Sequence, residues 1–171
     1  DPAHALSVIS TISKISNIIN RHNSSKHSNS SIYHYVHVHK DLPIWVLVNY
    51  LDFGEIRFML KASITRLQNN VARDMSEFIR QHIPGTYTFP PETMISFLDN
   101  INEVRNVCAH NNRLLDLKCR QDVKYWAPLH SLYKISPNAR KNDTYAAFLA
   151  IQCFLSHAEY ANLHNSIRKL M

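Results

Sequence analysis

Within Arg105-Asn106-Val107-Cys108-Ala109-His110 a guanidinium and an imidazole stand with four residues between them. Arginine offers a planar fork of donors that matches phosphate oxygens, and histidine is the side chain best suited to moving protons near neutral pH. Together they form a minimal set for cutting a phosphodiester. RNA carries its own nucleophile, the 2'-hydroxyl. Cleavage then needs a base for that proton, an acid for the leaving 5'-oxygen and a cation for the charge that builds on phosphorus. This chemistry asks for no metal and no cofactor.

The spacing restricts how the pair can work. On a helix Arg105 and His110 lie about 140° apart, whereas Asn106 and His110 lie about 40° apart. Asn106 is therefore placed to orient His110 or a phosphate through its amide. Arg105 and His110 can converge where the helix ends, and Asn111-Asn112 suits such an end because Asn tolerates the left-handed conformation. Arg113, three residues beyond His110, is a candidate for a further phosphate contact.

The helix that must carry these groups opens at Pro90-Pro91-Glu92 and has an inward stripe of Met94, Phe97, Leu98, Ile101, Val104 and Val107 or Cys108. Cys108 reads as a small buried packing group. Upstream, apolar periodicity predicts a helix over about residues 3–21, then a polar, low-complexity loop over Arg21–Ser31. Further helices are expected from Pro43 to Leu51, from Glu55 to about Ile64 and from about Asn70 to Ile83, the last closed by Pro84-Gly85. Trp45, Leu47, Val48, Leu51, Phe53, Ile56, Met59 and Leu60 read as core. A Lys-, Arg- and Asn-rich loop over Lys134–Asn142 precedes a final helical pair, whose apolar faces are Tyr145, Phe148, Leu149, Ile151, Phe154 and Leu155, then Leu163, Ile167 and Leu170.

Only two glycines, Gly54 and Gly85, occur in 171 residues. Tight-turned sheet folds use more, so the expected class is all-α, a bundle of about five or six helices. The expected organisation is an N-terminal helix and polar mobile loop over 1–40, followed by a helical core over 41–171. Asp1-Pro2 is not a usual translation start, so a longer parent protein is expected. The formal charge of +6 favours an anionic partner such as RNA. No apolar run reaches a membrane span and no secretion signal opens the chain, which predicts a cytoplasmic protein without a membrane partner. Three cysteines without paired spacing argue against a disulfide framework.

Arg66, Arg73 and Arg80 recur every seven residues, so one helix side can follow a phosphate backbone; a solvated face with Asp74 and Glu77 as local partners fits the same pattern. His34, His37 and His39 alternate with Tyr35, Val36 and Val38. In an extended segment His37 and His39 would face one way, as metal ligands can, but no cysteine or carboxylate completes a site.

The run Asn102-Glu103-Val104-Arg105-Asn106-Val107-Cys108-Ala109-His110-Asn111-Asn112-Arg113-Leu114 resembles a signature of the Abi-like (abortive infection) proteins of bacteria. A second block, Leu42-Pro43-Ile44-Trp45-Val46-Leu47-Val48-Asn49-Tyr50-Leu51-Asp52-Phe53-Gly54, is similar to another conserved stretch of that family. The resemblance covers roughly residues 41–125. It implies a HEPN-type helical fold in which an Arg-x4-His motif forms a metal-independent endoribonuclease site, commonly across a homodimer, and a role in phage defence. It also implies a means of restraint, such as an antitoxin or regulatory partner. A non-catalytic RNA-binding or regulatory module, or the toxin subunit of a toxin–antitoxin pair, is the alternative.

Overall fold

The computed structural model describes the backbone of residues 2–170 and the side chains of all of these but Ala3, His4 and Leu170. It is all-α, with nine α-helices and no strand among the described residues. Six of the nine are two turns or longer: α1 (Pro2–His22), α4 (Phe53–Ala62), α5 (Thr65–His82), α6 (Pro91–Ala109), α8 (Thr144–Ile151) and α9 (His157–Leu170). The other three, α2 (Ser31–His34), α3 (Ile44–Leu47) and α7 (Ala127–His130), are single turns that apolar periodicity is too short to reveal. The chain divides into two compact units, Asp1–Ile64 and Thr65–Met171.

In the first unit α1 packs on α4, and Ile18, Leu47 and Leu51 form its core with Ile15, Ile19, Leu42, Tyr50 and Met59 against them. The polar stretch after α1 holds a 3-10 turn, Ser25–His27. Ser30, directly before α2, accepts from the Tyr33 N–H to cap that helix and donates to the His22 carbonyl at 2.7 Å, tying α2 to the end of α1. Asp52 and Glu55 form a reciprocal capping box at the start of α4.

Trp45 departs from the expected core: it is 65% exposed. The expected helix 43–51 is broken into α3 and a 3-10 turn, Val48–Tyr50. Pro43 is extended and serves as the N-cap itself, so the single turn of α3 turns Val46 and Leu47 inward and leaves Ile44 and Trp45 outside. The three spaced histidines are not in an extended segment either. His34 ends α2, and Tyr35–His39 form a π-helical turn in which the His37 ring stacks on Tyr33 at 3.9 Å.

In the second unit Phe97, Met94 and Leu129 are fully buried, and the Phe89 ring lies between Phe97 (5.8 Å) and Trp126 (5.0 Å). Full burial of a side chain such as Phe97 contributes about 1.5–3 kcal/mol. Helix α8 packs on α6 and buries Ala146, Ala147, Leu149 and Ala150, whereas Tyr145, expected inward, is 54% exposed. Small side chains let two helix backbones approach closely, and a search for large apolar residues passes over them. Gly85 ends the α5 region with φ +117, where a Cβ would meet the Tyr87 ring at 2.7–2.9 Å.

His130, at the end of α7, is only 2% exposed. Burial lowers its pKa below the ordinary 6.5; a hydrogen bond to the Trp126 backbone opposes the shift and the Lys141 ammonium adds to it. Above the unfolded pKa the ring is neutral in both states. As pH falls below 6.5 the unfolded chain takes up a proton first, so stability drops through the window between that value and the lower folded one. We expect the free energy of unfolding from urea titrations to fall as the pH drops below 6.5, with a limiting slope near 1.4 kcal/mol per pH unit until the lower folded value is reached. His130→Asn, which keeps an acceptor on this side chain, should flatten that slope in urea titrations at each pH.

Candidate functional site

Helix α6 begins with Pro90 as N-cap and Pro91 in its first turn, and it ends at Ala109. Pro91 has no N–H to leave unsatisfied there, and its fixed φ is already helical. Three polar side chains on one flank of α6 bond to the backbone of the irregular segment that follows. Ser96 Oγ accepts from the Lys124 N–H (2.9 Å), Asn100 Nδ2 donates to the Gln121 carbonyl (2.9 Å), and Glu103 accepts from the Arg120 N–H (3.0 Å). The i, i+4, i+7 spacing puts all three on one line along the helix, and the segment runs antiparallel to it.

At the other end of the motif the helix stops in a Schellman arrangement. The Asn111 N–H donates to the Cys108 carbonyl (3.1 Å) and the Asn112 N–H to the Val107 carbonyl (3.0 Å), with Asn111 left-handed at φ 52. His110 is the C-cap, exposed, with φ −99 and ψ 13, and its N–H still bonds to the Asn106 carbonyl at 3.1 Å. The helix end expected from Asn111-Asn112 is present in the structure.

Arg105 is exposed, and its Nη1 donates to Asn106 Oδ1 at 3.0 Å. The half-buried Asn106 therefore holds the guanidinium through its side chain and meets His110 through its backbone carbonyl. Arg105 also stands on the wall of an apolar groove of about 390 Å³ between α6, α8 and α9, with Ile101, Val104, Phe148 and Ile167 among its lining. Cys108, expected buried, is exposed and lines the same groove. Cys119 and Cys153 are the buried thiols. Burial pushes Cys119 up to about 11 and raises Cys153 further, which keeps both protonated and unreactive.

The family model for Abi-like proteins matches residues 4–116. The chain belongs to the Abi-like protein family. No curated protein and no solved structure matches it. The matched stretch takes in α1 from residue 4 onward and every residue of the Arg105–His110 segment. It reaches further toward the N-terminus than the two resembling blocks indicate and stops short of α7, α8 and α9.

Three of the other arginines of this Abi-like chain are exposed and paired with acids. Arg113 meets Asp116 at 3.4 Å, Arg80 meets Glu77 at 2.6 Å and Arg73 meets Asp74 at 3.7 Å. Arg66, Arg73 and Arg80 all lie on the solvent side of α5, over about 21 Å of helix. Asp74 and Glu77 are thus local partners, as one of the two sequence readings has it. No group of three His, Cys, Asp or Glu side chains placed to hold a metal ion occurs among the described residues. No described helix is long and apolar enough to cross a membrane.

The polar line Ser96-Asn100-Glu103 is absent from the sequence-based site, although its spacing is visible once polar residues are searched with helical period. Asn100 is 1% exposed. Its replacement by Leu leaves the Gln121 carbonyl without that donor, and we expect a loss of about 1–3 kcal/mol by urea denaturation. Asn111→Gly, which suits φ 52, should leave stability within about 0.5 kcal/mol, whereas Asn111→Val should cost about 1–2 kcal/mol.

Proposed function

We propose that this Abi-like protein is a metal-independent endoribonuclease of the HEPN type, acting in abortive-infection defence. What carries the reading is an exposed arginine and an exposed histidine at the C-terminal end of one rigidly clamped helix, within the stretch that matches the family. The positive formal charge of the chain favours RNA as the polyanion.

In the proposed reaction the 2'-hydroxyl oxygen attacks phosphorus as a base removes its proton. The P–O5' bond breaks and an acid protonates the departing oxygen, leaving a 2',3'-cyclic phosphate and a 5'-hydroxyl. One chain supplies one such histidine. In a two-fold homodimer the partner's copy of the same helix end brings a second imidazole, so that one acts as base and the other as acid. The Arg105 side chain of each protomer neutralises the phosphate oxygens. Asn106 is a positioning residue, since its amide oxygen holds the Arg105 guanidinium. Arg113, Arg73 and Arg80 would bind flanking phosphates by exchanging their acidic partners for RNA, and the exposed Arg66 would add a further contact.

The test is single-stranded RNA incubated with the protein in excess chelator. His110→Ala and Arg105→Ala should each slow cleavage at least about 100-fold, with cyclic phosphate ends on the products of the parent protein. Cleavage that persists undiminished in both variants, or that stops on adding chelator, overturns the reading. Asn106→Ala should raise KM more than it lowers kcat, because it loosens the phosphate clamp without removing a proton carrier.

A further inference from the structure

A second cleft of about 320 Å³ lies between α5 and α9, at the low end of the size range of small-ligand sites, about 300–1,000 Å³. Three imidazoles and two phenols line it with Gln81, Gln152 and Asn165, and no Asp, Glu, Lys or Arg is among them. Such a lining has no fixed charge to hold a phosphate or a metal cation. It has ring faces and uncharged donors and acceptors.

Four of the lining rings are linked, the last of them through Phe148, which stands outside the lining. His157 and His82 are stacked at 5.8 Å with 23° between planes, His82 meets Tyr160 edge-on at 5.3 Å, Tyr160 meets Phe148 at 5.2 Å, and Phe148 meets His164 at 6.2 Å. Several of these groups are fixed by bonds that leave other functions over. His82 Nε2 donates to the Leu155 carbonyl at 2.9 Å, a bond that leaves Nδ1 unused. Gln81 Oε1 accepts from the His157 N–H at 2.9 Å, which leaves its NH2 as a donor. Gln152, by contrast, uses both ends of its amide, on Tyr133 Oη and on the Leu149 carbonyl.

We propose that this cleft receives one unstacked nucleobase of the RNA chain, held by the ring faces and read by Gln81, Asn165 and the imidazoles. Flat heterocycles with mixed donor and acceptor edges suit this lining, and RNA-binding proteins hold splayed-out bases by stacking on aromatic and histidine rings. The inference rests on RNA being the substrate, and it assigns the base preference to a place other than the Arg105–His110 end of α6.

The test uses the full chain with His110→Ala, so that bound RNA stays intact, and fluorescence anisotropy of labelled homopolymers of about eight nucleotides. One homopolymer should bind best, and an abasic ribose-phosphate chain of equal length should bind about 5-fold or more weakly. Adding His157→Ala, which removes a ring face, or Ala161→Leu, which fills the cleft from α9, should erase that difference. The slope of log Kd against log salt should stay the same, because no phosphate contact is lost. Equal binding of abasic and base-bearing chains, no effect of either substitution in proteins with unchanged circular dichroism, or a reduced salt slope overturns the proposal. So does a free nucleoside monophosphate that binds as tightly as the oligomer. Cleavage by the parent protein is scored separately: its absence with base-dependent binding present would overturn the nuclease reading and leave the cleft assignment standing.

Discussion

Residues 117–126 have almost no regular secondary structure, yet Cys119, Val123 and Trp126 within them are buried, and buried backbone groups need partners. The need is met from two sides. Helix α6 supplies Ser96, Asn100 and Glu103 to the groups of Lys124, Gln121 and Arg120. The stretch before α8 supplies the Asn142 carbonyl to the Cys119 N–H, the Lys141 carbonyl to the Val123 N–H and the Asn142 amide to the Cys119 carbonyl. The segment thus links α6 to the start of α8. Whatever α6 presents at its C-terminal end is held by this mesh together with the burial of Phe97 and Met94.

Lys141 shows how far the mesh extends. Its side chain is only 5% exposed, and its ammonium donates to the carbonyls of Pro137 and Ala139, while its own N–H donates to Asp122 at 2.9 Å. A buried charge is costly unless its donors are used. Here the cation folds the preceding loop onto itself, and the Lys-, Arg- and Asn-rich composition that reads as a surface loop conceals a structural residue.

The sequence makes the long elements legible because each carries several turns of apolar period and a chemical stop: Pro91 at the start of α6, Asn111 at its end, Pro84-Gly85 after α5. The single-turn helices are not legible, because four residues cannot show a period of 3.6. Trp45 illustrates the cost, since the core position expected of it goes with a longer helix, whereas Pro43 caps a single turn and a 3-10 turn follows. The alanine face of α8 and the polar flank of α6 escape for a related reason, that burial is usually sought among large apolar residues. At the candidate site, Arg105, Asn106 and His110 are visible from residue type and spacing. The Arg105–Asn106 bond is not, because a helix wheel places Asn106 nearer to His110 and says nothing of the reach of an arginine side chain across to its neighbour.

The Schellman end of α6 bears on how a nuclease could be built here. Arg105 and His110 lie about 140° apart around the helix, and the bond from the His110 N–H to the Asn106 carbonyl keeps that stagger to the helix end. The left-handed Asn111 turns the chain directly after His110, so the exposed imidazole is not followed by another helical turn. Acid and base catalysis of one transesterification calls for two proton carriers in opposite protonation states. In the proposed homodimer the helix end that each protomer presents to the other would provide two such groups by symmetry, with each guanidinium bonded to its own Asn106.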